Sequence, residues 1–330
     1  MEINGKIHFI TCVELNNCGD YQSSPLNYYY DFFKDYCLVY HDINSVRFAL
    51  IQKNDVVILG GGGLLDNLPD WNQTISKVLD IGAFVIGWSV GFHKRLGFQP
   101  ATKDLDFEKF GLLAVRDFEH ETKLPWLPCV TCMSPYLWKT GEIKRNIGII
   151  SHRFYPISGL PYEKMDNQAS FDDITDFIAS SDVIITSSYH AAYWAMLMGK
   201  IVICTNEFSY KFYHFKHKPQ FLSRDHQTEQ GVEDCIAKAK ADPLPASLLQ
   251  DYIALSNAFF LQAKQEIEQR IPVSNPQETM LYVLKTAAEL STQNIATQQD
   301  IKRHEEQYKR AEYLTHPGKV FQLLKYKLKR

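Results

Sequence analysis

No apolar run in this 330-residue sequence is long enough to cross a membrane. The longest lightly charged stretch, residues 183–199, has Thr, Ser, Ser, Tyr and His at its middle, whereas spanning takes about 20 predominantly apolar residues. The apolar stretch at 7–13 is short and has no basic leader, so a secretory signal is not expected. A large charge excess is also absent. The 35 basic and 38 acidic residues leave a net charge of -3, which excludes a protein that coats nucleic acid, and no nucleic-acid partner is expected. The seven cysteines (12, 18, 37, 129, 132, 204, 235) form an odd and scattered set. They predict reduced thiols and a cytoplasmic location rather than a disulfide framework. One CxxC, Cys129 to Cys132, has no second pair to complete a zinc site, so no metal is expected. Neither the GxxxxGK[ST] of a nucleotide P-loop nor the GxGxxG of a dinucleotide fold occurs. No repeat of fixed period and no low-complexity tract is present.

What remains is material for two packed cores. Hydrophobic residues make up 45% and aromatics 13% of the chain, including 20 Phe and 18 Tyr. At roughly 150 residues per domain, the length suggests two domains. β-rich runs are predicted at 6–12, 37–40, 55–59, 83–87, 111–115 and 127–131. Most are continuous apolar runs, as parallel strands covered on both faces require. Helical stretches are predicted at 25–36 and 71–81. The polar segment 138–145 reads as a linker. A second set of strands follows at 146–151, 182–186 and 201–204, then helices at 247–270 and from 277 onward. The expected fold class is therefore α/β: two Rossmann-like domains, 1–141 and 146–285, facing a central cleft. Residues 286–330 are expected to form a polar helical extension with a basic amphipathic tail, 316–330, that could dock on anionic lipid.

Open parallel sheets bind ligands beyond the carboxyl ends of their strands. The residues at those ends are unusually cationic: His93, Lys94 and Arg95; Arg116; His152 and Arg153; and Ser187, Ser188, Tyr189 and His190. In a slightly acidic chain this bias points to an anionic ligand. Ser187 or Ser188 can cap a helix beginning near His190, where free N–H groups and the positive dipole end favour an anion. His190 at that point can bind the anion or move a proton, its ordinary pKa range suiting work near pH 7. Gly61, Gly62 and Gly63, within the run Gly60 to Gly63, let another segment or a ligand approach the backbone after the third strand. Gly87 to Gly91 matches the GxSxG of a serine hydrolase, but the following FHKRLGFQP lacks the helix that motif requires.

In their order along the chain, these short motifs resemble those of the polysaccharide pyruvyl transferases. Asn17-Cys-Gly-Asp20 is similar to an early N-x-G-D stretch, residues 59–65 to a glycine-rich run, and Arg116-Asp117 to an R-D element. Ser188-Tyr189-His190 is similar to the S-F-H or R-L-H signature, and residues 208–211 to a lysine-bearing loop. The family also has a glycine-bearing strand end where Gly87 to Gly91 stands. Two departures are Ser188 in place of a frequent arginine and Pro128-Cys129 in place of a D-P pair. The resemblance implies a GT-B-like architecture and transfer of pyruvate from phosphoenolpyruvate to a pair of sugar hydroxyls on a surface polysaccharide, with no cofactor. It implies donor contacts from Arg116, Lys211, Ser187, Ser188, His152 and Arg153, and an acceptor side in the first domain near Asn17, His93 and the glycines. His190 would be the proton donor, and Asp20 would deprotonate or orient a glycan acceptor that could be lipid-linked. A GT-B glycosyltransferase using a sugar nucleotide and a binding module without chemistry are the competing expectations. All of this requires Arg116, Lys211 and His190 to converge.

Overall fold

The continuous apolar runs become the interior strands of two parallel sheets. The computed structural model describes residues 5–14, 17–66, 69–94, 96 and 105–273, all of which lie in one compact unit, Met1–Pro276. Arg95, the polar helix after 277 and the basic tail 316–330 lie outside the described residues. The first sheet holds β1 (Ile7–Thr11), β2 (Leu38–Asp42), β3 (Val56–Gly60), β4 (Phe84–Val90) and β5 (Leu112–Val115), in the order β2-β1-β3-β4-β5. The second holds β6 (Arg145–Ser151), β7 (Glu163–Asp166), β8 (Ser181–Thr186), β9 (Ile201–Cys204) and β10 (Gln220–Phe221), in the order β10-β9-β8-β6-β7. Every pairing is parallel. Renumbered within itself, each sheet has the order 2-1-3-4-5. Connections therefore leave in opposite directions between β1 and β3 and between β6 and β8, the points where such sheets bind ligands.

β1 and β3 are buried along their whole length, which is why they lack polar alternation. Helix α3 (Pro69–Ile81) covers one face of the first sheet through Trp71, Ile75, Val78 and Leu79. In the second half, α4 (Phe171–Ala179) and α5 (Tyr189–Leu197) share a core with Ile150, Ile184 and Cys204, while Val232 and Cys235 of α6 (Glu229–Ala241) pack against Ile149, Ile185 and Ile203. All nine residues of α5 are buried, so this helix has no solvent face and its sequence shows no amphipathic stripe. The last described helix, α7 (Leu248–Arg270), joins both cores. Leu248, Leu249 and Tyr252 pack with the second sheet's core, and Phe259, Ala263 and Ile267 pack with Ile7, Phe9 and Trp88 of the first. Among the described residues no helix is long and apolar enough to cross a membrane.

Two elements differ from the sequence expectation. The run 127–131 is not a strand. One bridge joins Val115 to Trp126, after which the chain turns through a 3-10 helix, Val130–Met133. Pro125 and Pro128 remove the N–H groups a ladder would need there. The stretch 25–36 is not one helix but a 3-10 turn, Pro25–Asn27, and a short helix α2, Tyr30–Phe33. Its successive aromatics are weak helix formers, and Tyr29 instead stacks on Phe260 of α7 with ring centroids 4.2 Å apart. The edge strands β7 and β10 were missed because EKMD and QF carry no apolar run.

A polar chain is buried along the first sheet, running from Arg47 after β2 to Asp55 before β3. The Arg47 N–H donates to His41 Nδ1 at 3.4 Å, so His41 Nε2 carries the proton that it donates to His8 Nδ1 at 2.9 Å. His8 Nε2 then donates to Asp55 Oδ2 at 2.9 Å, and Asp55 also accepts from the N–H groups of Lys6 and Gln52. Burial, then the neighbouring His8 and Arg47, push the His41 pKa down to about 3. Because the folded value lies below the unfolded one, this contribution to stability is complete above about pH 6.5. It is lost as pH falls toward 3. We expect the melting temperature to drop steadily over that window, and His41→Gln, followed by calorimetry, to flatten part of the drop.

Candidate functional site

The residues that follow β1, β3, β4, β5 and β8 meet at one place. After β1 comes α1 (Cys18–Gln22), too short to hold itself and packed by its backbone onto the loop after β3. Gly61 adopts φ 49°, and a Cβ there would overlap the Ser23 carbonyl. Only glycine accommodates both the positive φ and the contact. A Cβ on Gly19 would overlap His190 Nδ1, and one on Gly91 would overlap Arg116 Nε. The glycines of this region therefore make room for two functional side chains as much as for backbone.

His190 and Arg116 form the centre. His190 is the second residue of α5 and 7% exposed; Arg116 follows β5 and is 3% exposed. Arg116 Nη1 lies 3.2 Å from His190 Nε2. A guanidinium only donates, so Nε2 is the acceptor and the neutral ring carries its proton on Nδ1. The guanidinium carbon also lies 4.3 Å from the centroid of the Tyr189 ring, a cation–π contact. Its Nε and Nη2 are buried with no hydrogen-bond partner. Two unpartnered nitrogens of a buried cation, three N–H groups in all, are costly to leave unmatched and suit an anion.

Lys211 completes the cationic set from the 3-10 turn Tyr210–His214. Its Nζ lies 3.1 Å from His93 Nδ1 and 5.5 Å from the Tyr189 ring centroid. Arg116, Lys211 and His190 thus converge on Tyr189. The turn bearing Lys211 is tied to the loop after β4, with Tyr210 N–H and Ser209 Oγ both donating to the Lys94 carbonyl. Asp20, the third residue of α1, is half-buried. Asn17 donates to it at 2.6 Å, and its Oδ1 faces Gly62. Burial raises the Asp20 pKa against the opposing pull of Lys211 and Arg116. Gly63 lies against His93 and the Arg116 guanidinium.

The other candidates occupy the edge of this arrangement. Ser187 is used structurally, accepting from the His152 N–H at 2.8 Å and donating to the Tyr155 carbonyl at 2.6 Å. Ser188 is the N-cap of α5, but its side chain makes no cap hydrogen bond. His152 packs on Phe208, with centroids 4.7 Å apart, and its pKa is lowered to about 4 by burial, then by Lys211 and Arg153. Arg153 pairs with Glu14, linking the segment after β6 to the segment after β1. One expectation needs correction: His190 does not keep an ordinary histidine pKa. Burial, then Arg116 and Lys211, hold it well below that value, so the neutral ring is favoured. The GxSxG serine also fails. Ser89 is fully buried inside β4 with no partner for its hydroxyl, and the chain runs on to a parallel bridge at Phe92 rather than into a helix.

Ser23 is not among the sequence candidates, and the CxxC containing Cys129 is expected from the sequence to hold no metal. Ser23 Oγ lies 3.2 Å and Cys129 Sγ 4.0 Å from His190 Nε2. The available signal was on α5, where His190, Tyr193 and Trp194 share a face by their i, i+3, i+4 spacing. All three meet the turn at 129–131: Tyr193 donates to the Cys129 carbonyl at 2.8 Å and Trp194 to Thr131 Oγ1 at 3.0 Å. Among the described residues, no group of three or more His, Cys, Asp or Glu is placed to hold a metal ion.

Residues 13–207 match the model of the family described as polysaccharide pyruvyl transferase. No curated protein matches the chain at a significant level. The geometry makes its own prediction. At about 100 times its Kd, inorganic phosphate should stabilise the fold by about 2.7 kcal/mol, read as a rise of several degrees in thermal unfolding. Arg116→Ala should lose most of that rise.

Proposed function

The chain belongs to the polysaccharide pyruvyl transferase family and is a transferase of polysaccharide biosynthesis, and we propose that its donor is phosphoenolpyruvate and its product a pyruvate ketal on a sugar. The observation that carries this reading is the buried Arg116 guanidinium with Nε and Nη2 unpartnered, next to Lys211. Phosphoenolpyruvate presents a phosphate and a carboxylate a few ångströms apart, and two fixed cations, the Arg116 guanidinium with Nε and Nη2 unpartnered and the Lys211 ammonium, match both charges. Ser188, where an arginine is frequent in the family, leaves Arg116 and Lys211 as the main donor contacts, with His152 and Arg153 at the rim and the Ser188 end of α5 supplying N–H groups. The two α/β halves act as GT-B-like lobes, with the acceptor glycan entering on the side of Asn17, Asp20, His93 and Gly61 to Gly63. A cytoplasmic location accords with seven free cysteines.

The chemistry follows from charge. Donor binding places negative charge beside His190, offsets Arg116 and Lys211, and favours the imidazolium. That imidazolium gives a proton to the methylene carbon. The C2–C3 π electrons form the new C–H bond, and C2 becomes electron-poor. A sugar hydroxyl bonds to C2 and gives up its proton, with Asp20 accepting or orienting. The C2–O bond to phosphate then breaks, with its electron pair leaving on phosphate. The second hydroxyl adds to C2 and loses its proton, closing the ketal. One proton enters at carbon and two leave from oxygen; one of the two restores His190 and the other departs on phosphate. Arg116 and Lys211 stabilise the charge that builds on the leaving phosphate.

Mass spectrometry of oligosaccharide acceptors incubated with the protein and phosphoenolpyruvate tests the reading through the mass gain of one pyruvate ketal. Stabilisation by a sugar nucleotide and not by phosphoenolpyruvate would overturn it. His190→Ala is expected to remove transfer with little change in folding. Gly19→Ala should displace the His190 ring and lower turnover about 100-fold, as an ångström-scale misplacement does, while the protein still folds.

A further inference from the structure

The geometry points to Ser23 and Cys129 as positioning residues that hold the proton on His190, by offering their lone pairs to Nε2 when the ring is charged. The inference rests on the reading of His190 as the acid. It starts from the direction of each hydrogen bond. The indole N–H of Trp194 can only donate, and it meets Thr131 Oγ1 at 3.0 Å. The Thr131 hydroxyl is therefore free to donate onward, and it lies 3.4 Å from Cys129 Sγ. Cys129 Sγ lies 3.6 Å from Ser23 Oγ, and Ser23 donates its own proton to the Gly19 carbonyl at 2.7 Å. The chain runs one way, from Trp194 through Thr131, Cys129 and Ser23 to Gly19, and every donor in it is spent. Toward His190, Ser23 has only lone pairs to give.

This leaves Nε2 with two incompatible kinds of neighbour. Arg116 donates to it and favours the neutral ring, whereas Ser23 at 3.2 Å and the Cys129 sulfur at 4.0 Å can only accept from a protonated Nε2. Ser23 is fully buried and Cys129 is 1% exposed, so water does not replace them. The charged groups facing His190 are Arg116 after β5 and Lys211 in the 208–214 segment, both opposing its proton, with Asp20 on α1 beside them. When an anion draws Arg116 to itself, the balance at Nε2 passes from a donor to two acceptors. Nδ1, which carries the ring's other proton, lies against Gly19. The first cysteine of the CxxC thus has a place in the site; the second, Cys132, bonds Ser256 at 3.2 Å instead.

The test is the His190 titration in full-length protein labelled with 15N-histidine, saturated with inorganic phosphate and assigned with His190→Gln. The wild-type ring should take up a proton at Nε2 between pH 8 and 5. Ser23→Ala should lower the midpoint about tenfold in proton affinity, one pH unit, and Cys129→Ala by a smaller amount in the same direction. Both variants should lower kcat while leaving KM for phosphoenolpyruvate within about twofold. Cys129→Ser, which keeps a donor and an acceptor, should recover part of the loss. Thermal unfolding of each variant identifies any that does not fold, and the titration is then read from the other. An unchanged midpoint in a folded variant overturns the inference, as does a wild-type ring that stays neutral to pH 5 with phosphate bound. Full activity in His190→Ala overturns the acid role and leaves the titration result standing, so the two failures are distinguishable.

Discussion

The arrangement depends on one buried cation. Arg116 is held between the Tyr189 ring and the imidazole of His190 with two nitrogens unmatched. Removing a guanidinium from water without full pairing is unfavourable, so the surrounding fold has to support it. Gly91 and Gly63 clear the volume it occupies. The carboxylate of Asp117, next in sequence, accepts from the Phe92 N–H at 2.8 Å and draws the loop after β4 across it. In the reading proposed above, an anionic donor offsets this cost by matching the unpartnered nitrogens.

The same constraint accounts for how the two sheets are joined. A cation from the first sheet can stack on a tyrosine from the second only if the two strand ends approach closely, and several features enforce this. α7 contributes side chains to both cores. The 208–214 segment bonds the loop after β4 through Lys94 and pairs with Phe118 through the His214 carbonyl. Arg153 meets Glu14 across the strand ends. α5 anchors on the 129–131 turn through Tyr193 and Trp194. The centre is therefore pre-formed, and the glycines act by what they leave empty.

Much of the fold was legible because parallel strands buried on both faces leave a plain record. Ile7–Thr11, Val56–Gly60, Ser181–Thr186 and Ile201–Cys204 fall within a residue of the apolar runs that mark them. The failures have physical causes. β7 is a polar edge strand, the prolines beside 127–131 deny it a ladder, and the aromatics of 25–36 break their helix to pack on α7. In the site, Arg116, Lys211 and His190 stood out because cations at strand ends are conspicuous in a near-neutral chain. Ser23 and Cys129 did not. A serine between helices carries no local signal, the CxxC of Cys129 points to a metal or redox role rather than to His190, and their relation to His190 spans 167 and 61 residues of chain.

By itself the sequence determined the α/β class, the positions of most strands and the cationic character of their ends, since hydrophobic period and charge are local properties. It also carried the ordered motifs by which residues 13–207 match their family. Only the tertiary structure decided which nitrogen of His190 bears the proton, which cation opposes it and which hydroxyl and thiol lie beside it. Those depend on distances between residues far apart in the chain, and on burial, which with Arg116 and Lys211 holds the His190 pKa well below that of an ordinary histidine.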